Sequence, residues 1–319
     1  ECIFEAIYRD LSQRYRKELS SDSRRKRKVA KWMERLQILD STTITLFSNL
    51  IFKGAGRHPK HGKKKGGIKV HAVINANEGI PCDVRFTSAA TSDSFMLAPS
   101  HYSRGSVVAM DRAYVNYSKF EELTRLGVTY VTKMKKNLVY QTVSDVMHMD
   151  GDGLMEYRIR HVVFTKRVSD GEDIEHHARI ITYVDLKGAK PKLVSLLTND
   201  METEVEDIVE IYRQRWSIEL LFKQLKQNFP LRYFYGESAN AIKLQIWVTL
   251  IANLLLMVLQ SRIKRPWSFS GLAAMVKNML MYYVNAYTFF EEPEKDWLKI
   301  RQELEIEPRQ PTLFPEFFE

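Results

Sequence analysis

Between Tyr212 and Lys226 the chain reads Tyr-Arg-Gln-Arg-Trp-Ser-Ile-Glu-Leu-Leu-Phe-Lys-Gln-Leu-Lys, with neither Gly nor Pro. That run predicts a helix. With Glu219 as origin and about 100° per residue, Tyr212 falls at about 20°, Arg215 at about −40° and Lys226 at about −20°. A phenol, a carboxylate and two cations therefore share one narrow face. Two readings follow. Arg215 with Glu219 and Glu219 with Lys223 are i,i+4 pairs of the kind that modestly stabilise a solvated helix surface. Alternatively the carboxylate holds a metal and the cations hold phosphates. Acids elsewhere in the chain weigh on the choice.

From Arg35 the hydrophobic period becomes two, and Leu36, Ile38, Asp40, Thr42, Ile44 and Leu46 share one parity of a strand. Asp40 thus lies on the apolar side, where a carboxylate must be paired, protonated or metal-bound. Ile68 to Asn75 and Pro81 to Ser88 read as strands joined through Asn75-Ala76-Asn77-Glu78-Gly79. Ser92 to Ser100 reads as a short helix capped by Ser92. Ser106 to Met110 is a small apolar run that ends abruptly at Asp111-Arg112-Ala113-Tyr114. Tyr117 to Leu126 fits an amphipathic helix stopped at Gly127, and Val128 to Thr132 a strand that ends in Lys133, Lys135 and Lys136.

If the first and fourth strands are neighbours, Asp40 and Asp111 meet, and a helix packed on that sheet can add Glu219. Three clustered carboxylates repel one another unless a cation neutralises them. Hard oxygen ligands favour Mg²⁺ or Mn²⁺. Two such ions can activate water or a 3′-hydroxyl and stabilise the leaving oxygen of a phosphodiester.

The rest of the chain frames that site. Residues 1–33 read as a helical lead-in with a basic run, residues 34–138 and 200–290 as two parts of one core, residues 139–199 as a β-rich insertion, and residues 291–319 as an acidic and apolar tail. Helices are expected over Glu202 to Asn228, Ala241 to Arg262 and Ser268 to Phe290. The net charge of +9 over 319 residues is local, with runs at Arg24 to Lys28 and Lys60 to Lys65, and favours a polyanionic partner. Two distant cysteines argue against a disulfide framework and fit a reducing compartment. The longest apolar stretch, Ile246 to Leu259, is interrupted by Thr249 and Asn253; it reads as a core helix too short to span a bilayer, so no membrane partner is expected.

Tyr212, Arg215, Glu219 and Lys226 match the spaced signature Tyr-x2-Arg-x3-Glu-x6-Lys, and the chain resembles the YREK group of bacterial insertion-sequence transposases. The resemblance extends to Leu39-Asp40-Ser41-Thr42-Thr43-Ile44 and to Met110-Asp111-Arg112-Ala113-Tyr114, where the group usually has Gly in place of Ala113. It implies a DDE enzyme with an α/β, ribonuclease H-like core: a mixed five-stranded sheet with helices, a β-rich insertion domain and a helical C-terminal region. It also implies Asp40, Asp111 and Glu219 as catalytic metal ligands for two Mg²⁺ ions, with Mn²⁺ able to substitute, and Tyr212, Arg215 and Lys226 as contacts to DNA phosphates. Lys63, Lys64, Lys65, Arg112, Lys133, Lys135 and Lys136 are further expected DNA contacts on charge and position. The expected partners are double-stranded transposon ends and target DNA, held by a homodimer in the bacterial cytoplasm at the nucleoid. A ribonuclease H-like nuclease without joining activity, and a non-catalytic DNA-binding protein that keeps the fold, are the alternatives.

Other residues read more simply. His58 and His61 lie in a Lys-rich loop and are expected to be solvated or phosphate-facing. His71 is expected as a satisfied core or edge histidine, and Asp93, beside Ser92 and Ser94, as a helix N-terminal residue before a fourth acid. Trp216 could stack on a base, but Ile218, Leu221 and Leu225 point to a packed position.

Overall fold

The computed structural model describes residues 1–20, 30–46, 56–57, 66–149, 151, 153, 155–166, 173–186, 190–231, 233–280, 290–291 and 294. They divide into two compact units, Glu1–Leu254 and Leu255–Glu319. The expected basic runs at 24–28 and 60–65, with His58, His61, Lys63, Lys64 and Lys65, and the acidic and apolar tail beyond residue 294 lie outside the described residues.

The first unit is built on one mixed sheet. β1 (Leu36–Thr45) is followed by the two-residue β2 (Gly56–Arg57) and by β3 (Gly66–Asn75) and β4 (Ile80–Ser88); β3 is antiparallel to β1, β2 and β4. β3 turns into β4 through Gly79, whose φ of 70° a residue without Cβ adopts at little cost. β5 (Val107–Met110) and β6 (Thr129–Lys133) run parallel to β1, with β5 seated beside it from Leu36↔Val107 to Leu39↔Met110. Every residue of β5 is buried, as befits an interior parallel strand.

β7 (Gln141–Met149), β8 (Met155–Lys166), β9 (Ile174–Asp185) and β10 (Lys192–Thr198) follow. The sheet differs here from the expected five strands. β10 lies antiparallel to β6, and the strand order β2-β3-β1-β5-β6-β10-β9-β8-β7, with β4 against β3, makes one ten-stranded sheet. The physical reason is that β6 is buried in its centre and its outer edge needs a partner, which β10 supplies.

Helices cover both faces near β1. α1 (Cys2–Leu19) docks through Tyr8, whose hydroxyl donates to the Pro81 carbonyl at 2.8 Å. After the four-residue α2 (Asp93–Met96), shorter than the helix expected over 92–100, α3 (Tyr117–Arg125) packs on β6, β8 and β9. Its Phe120 and Leu123 join Leu39, Met110, Tyr130 and Phe164 in one core, and Gly127, at φ 69°, ends it. Burying each such side chain stabilises the fold by about 1.5–3 kcal/mol. On the opposite face, α4 (Val205–Gln214) packs on β5 and β6, and α5 (Trp216–Asn228) packs on β1. Phe222 and Leu225 of α5 line a small apolar gap with Thr42 and Ile44, the strand parity that carries Asp40.

The helix expected across Tyr212–Lys226 is broken. α4 ends at Gln214 and α5 starts at Trp216, with Arg215 between them. The Arg215 amide donates to the Tyr212 carbonyl at 3.1 Å, three residues back, so one tight turn interrupts the ladder without Pro or Gly.

α6 (Ala239–Arg262) begins in the first unit, and the boundary between the units falls within it. The helix is longer than the apolar stretch suggested: 24 residues, with a mean hydropathy of 2.0 in its most apolar window, long and apolar enough to cross a membrane by length and composition. Half of that window is buried in the protein, including Thr249 and Asn253, which bond to the Gln245 carbonyl and to Gln224. In the second unit, α7 (Phe269–Met279) is capped by Ser268, whose hydroxyl accepts from the Gly271 amide at 3.1 Å.

Candidate active site

Asp40 sits one residue beyond Leu39, the last residue of β1 paired with β5, and Asp111 one residue beyond Met110, the last residue of β5. The parallel register therefore sets the two acids side by side where the pairing of β1 with β5 ends, Asp111 at the carboxyl end of β5 and Asp40 partway along β1. β1 continues to Thr45, so past Leu39 it has no β5 partner. There the Ser41 amide donates to Asp40 Oδ1 at 2.8 Å, which satisfies a backbone donor and fixes one carboxylate oxygen. Asp111 caps the single 3-10 turn Arg112–Tyr114, its Oδ1 accepting from the Ala113 amide at 3.0 Å. The Ala113 amide makes that bond, and its backbone is held without the Gly found in the related signature.

Arg215 joins the third acid to the first. Its Nη1 lies 2.7 Å from Glu219 Oε1 and 3.5 Å from Asp40 Oδ2, with the Arg215 side chain only 12% exposed. The guanidinium also sits 5.6 Å over the Tyr212 ring. The i,i+4 pair of Arg215 and Glu219 is thus real, but it is partly buried and reaches into the sheet, unlike a solvated helix face. Lys226 Nζ donates to Thr42 Oγ1 at 2.5 Å and to the Thr43 carbonyl at 3.2 Å, tying α5 to the end of β1.

The electrostatics follow from this crowding. Burial raises the Asp40 carboxyl to about 6; the Ser41 amide and Arg215 pull it down, while the Asp111 and Glu219 charges push it further up. Burial likewise raises the Tyr212 phenol, opposed by Arg215 and reinforced by Asp111, so Tyr212 is a neutral donor. Among the described residues no group of three or more His, Cys, Asp or Glu side chains converges closely enough, as oriented, to hold a metal ion. The donor set nevertheless fits a hard divalent cation. It consists of carboxylate oxygens, and Asp40 carries a negative charge that its surroundings penalise and a nearby cation would relieve.

Lys135 and Lys136 line an open cleft with Asp111, Arg112, Ala113, Asn137 and Leu138, while Lys133 closes β6 half-buried. Arg112 is exposed. These cations stand beside the second acid.

One expectation is corrected and another extended. Trp216 is 56% exposed, not packed: Ile218, Leu221, Phe222 and Leu225 form the buried stripe of α5, and Trp216 shares the opposite side with the exposed Leu220. Asp93 is the first residue of α2, as expected, and its side chain also reaches beyond the helix. Its Oδ1 accepts from Ser41 Oγ at 2.7 Å and Lys69 Nζ at 3.2 Å, a link that sequence spacing cannot show because it joins three separate elements. His71 is buried, with Nε2 on Thr87 Oγ1 at 2.8 Å; its Nδ1 has no hydrogen-bond partner, and burial lowers the ring to about 4.

Comparison with known proteins adds an independent finding. The transposase DDE domain family matches residues 31–255. The chain is 27% identical over 226 residues to a putative transposase of Sinorhizobium fredii, covering 70% of this chain and 60% of that protein. It is 24% identical over 253 residues to a probable transposase for an insertion sequence element of Geobacillus stearothermophilus, covering 79% and 64%. It is 29% identical over 258 residues to a putative transposase for an insertion sequence element of Synechocystis, covering 79% and 67%. The match thus spans between 60% and 67% of the length of these relatives.

Proposed function

We propose that this chain, which belongs to the transposase DDE domain family, is the catalytic part of a DNA transposase that cuts at the ends of its element and joins them to target DNA. The observation that carries the reading is the contact of one guanidinium, Arg215, with both Asp40 and Glu219, beside a strand end that presents Asp111. The relatives named as insertion-sequence transposases support the same class.

Within that reading Asp40, Asp111 and Glu219 hold divalent metal, with Mg²⁺ the expected ion and Mn²⁺ a substitute. A cation bound there supplies activation of the attacking oxygen and neutralisation of the leaving oxygen at the scissile phosphodiester. The chain's own groups do the positioning. Arg215 offers guanidinium donors to phosphate oxygens, the neutral Tyr212 phenol a further donor, and Lys226 a charge at the end of β1. Arg112, Lys135 and Lys136 extend that positive wall along the open cleft, with Lys133 beside them and Lys63, Lys64 and Lys65 proposed as more distant contacts. Arrangement of β4, β3, β1, β5 and β6 in that order, with β5 and β6 parallel to β1, supports a ribonuclease H-like core. The intact Tyr-x2-Arg-x3-Glu-x6-Lys spacing supports the YREK group. On this reading the soluble protein works in the bacterial cytoplasm at the nucleoid, on double-stranded ends and target held by a homodimer. Residues 139–199 act as an insertion between the two parts of the core.

The test is incubation with duplexes that carry the element's terminal inverted repeats, in Mg²⁺, followed by separation of cut and joined products. Cut ends joined to target, lost in Glu219→Gln while DNA binding persists, are expected. Cutting without joining would make the protein a nuclease, and binding without either would make it a DNA-binding protein that keeps the fold.

A further inference from the structure

Asp40 has a second layer of support on the other face of the sheet. Ser41 and Asp40 are consecutive in β1, so their side chains point to opposite faces. On the Ser41 face, the hydroxyl donates to Asp93 Oδ1 at 2.7 Å, while the amide of the same residue donates to Asp40 Oδ1 at 2.8 Å. Lys69 Nζ also bonds Asp93 Oδ1, at 3.2 Å, and the Thr91 carbonyl at 2.7 Å, which fixes the segment that presents Asp93. Lys69 and His71 both lie on β3, with His71 directly across from Ser41. The buried Tyr114 hydroxyl stands within electrostatic reach of both Asp93 and Asp40. It follows the Asp111 turn, so the same pocket touches the segments of two of the three acids.

We propose that Asp93 is a positioning residue for Asp40, acting through Ser41 to fix the peptide whose amide holds the Asp40 carboxylate. A pure stability role would be met by the Lys69 pair alone. The added bond to Ser41 constrains the orientation of one proposed metal ligand, and partners of that kind typically change metal affinity or activity by about 10–100-fold when removed. The proposal rests on the metal-binding role assigned to Asp40 above.

The test compares wild type with Asp93→Asn, Asp93→Glu, Ser41→Ala and the Asp93→Asn/Ser41→Ala pair. It uses two readouts: Mn²⁺ binding by calorimetry, and kcat and KM for cleavage of end-bearing duplex. Expected are a roughly 10-fold weaker Mn²⁺ affinity and a kcat lowered about 10-fold at unchanged KM in Asp93→Asn and in Ser41→Ala, a double variant no worse than the worse of these two, and a smaller loss in Asp93→Glu, which keeps the carboxylate. Additive losses in the double variant, or a change in KM alone, would overturn it. Should Asp93→Asn not fold, Ser41→Ala carries the same expectation, and unchanged Mn²⁺ affinity there overturns the proposal. If wild type binds Mn²⁺ but cuts no DNA, the transposase reading fails, while the Mn²⁺ isotherms of the variants still decide the role of Asp93.

Discussion

The inner and outer halves of the ten-stranded sheet are built to different rules. Across β3 and β5 most positions are buried, β1 and β6 combine buried with half-buried positions, helices cover both faces near β1, and Asp40 on β1 and Lys69 on β3 are held by named partners. At the far end, β7 is exposed along most of its length, with Val143, Met147 and Met149 open to solvent, and among the described residues it pairs with β8 alone. Its register slips twice, between Thr142 and Ser144 and between His148 and Met149, and such irregularities discourage pairing with another edge. A rigid, buried frame lets the inner half keep a penalised carboxylate in place. The edge strand β7 instead tolerates water along its surface.

Substitutions can sharpen that contrast. The largest effect is expected at the acids. Asp40→Asn, Asp111→Asn or Glu219→Gln should each lower metal-dependent DNA cleavage on the order of 10³-fold, whereas Val146→Ser on β7 should leave it within about twofold, as measured by product formation under single turnover. Next is stability. Phe164→Ala, which empties a fully buried site where β8 meets α3, should cost about 3–5 kcal/mol in denaturant unfolding. Met147→Ser on the exposed edge should cost less than about 0.5 kcal/mol. Parity along the outer strands, and not distance from the acids, would then decide which residues matter to folding.

A smaller effect is expected from pH. The Asp40 carboxyl is raised to about 6 in the fold, so the folded protein binds that proton more tightly than the unfolded chain does. Its contribution is favourable below about pH 4 and is lost as the pH climbs through about 6. In chelating buffer at about pH 7.5, Asp40→Asn should therefore be more stable than wild type by on the order of 2 kcal/mol, with the gap closing toward about pH 4. A gap that grows on acidification would show that Arg215 outweighs burial. Smallest is Trp216→Ser, whose exposed ring should change the unfolding free energy by less than about 0.5 kcal/mol.

Much of the inner half is legible in the sequence because its rules are local. Alternation over residues 36–46 reports a strand covered by apolar packing, the small apolar run 107–110 reports an interior parallel strand, and Gly127 marks a helix end. What the sequence hides depends on contacts between distant segments. The pairing of β10 with β6 merges the later strands into the same sheet, and no local period encodes that edge. Asp93 is adjacent to two serines that suggest a cap, but its side chain is claimed by Ser41 and Lys69 from other strands. Trp216 misleads because its neighbours are apolar at helical spacing, while the buried stripe of α5 runs along a different side.

The break at Arg215 gives the spaced signature a mechanical meaning. Tyr212 and Arg215 are three residues apart, the span of the tight turn that the Arg215 amide closes on Tyr212. Arg215, Glu219 and Lys226 are then separated by four and seven residues, the spans of about one and two turns of a regular helix. The motif is therefore a ruler with two scales, a short pitch followed by a longer one. A single residue inserted on either side of Arg215 would put the guanidinium or the carboxylate out of phase with Asp40, even if every residue type in the signature were kept.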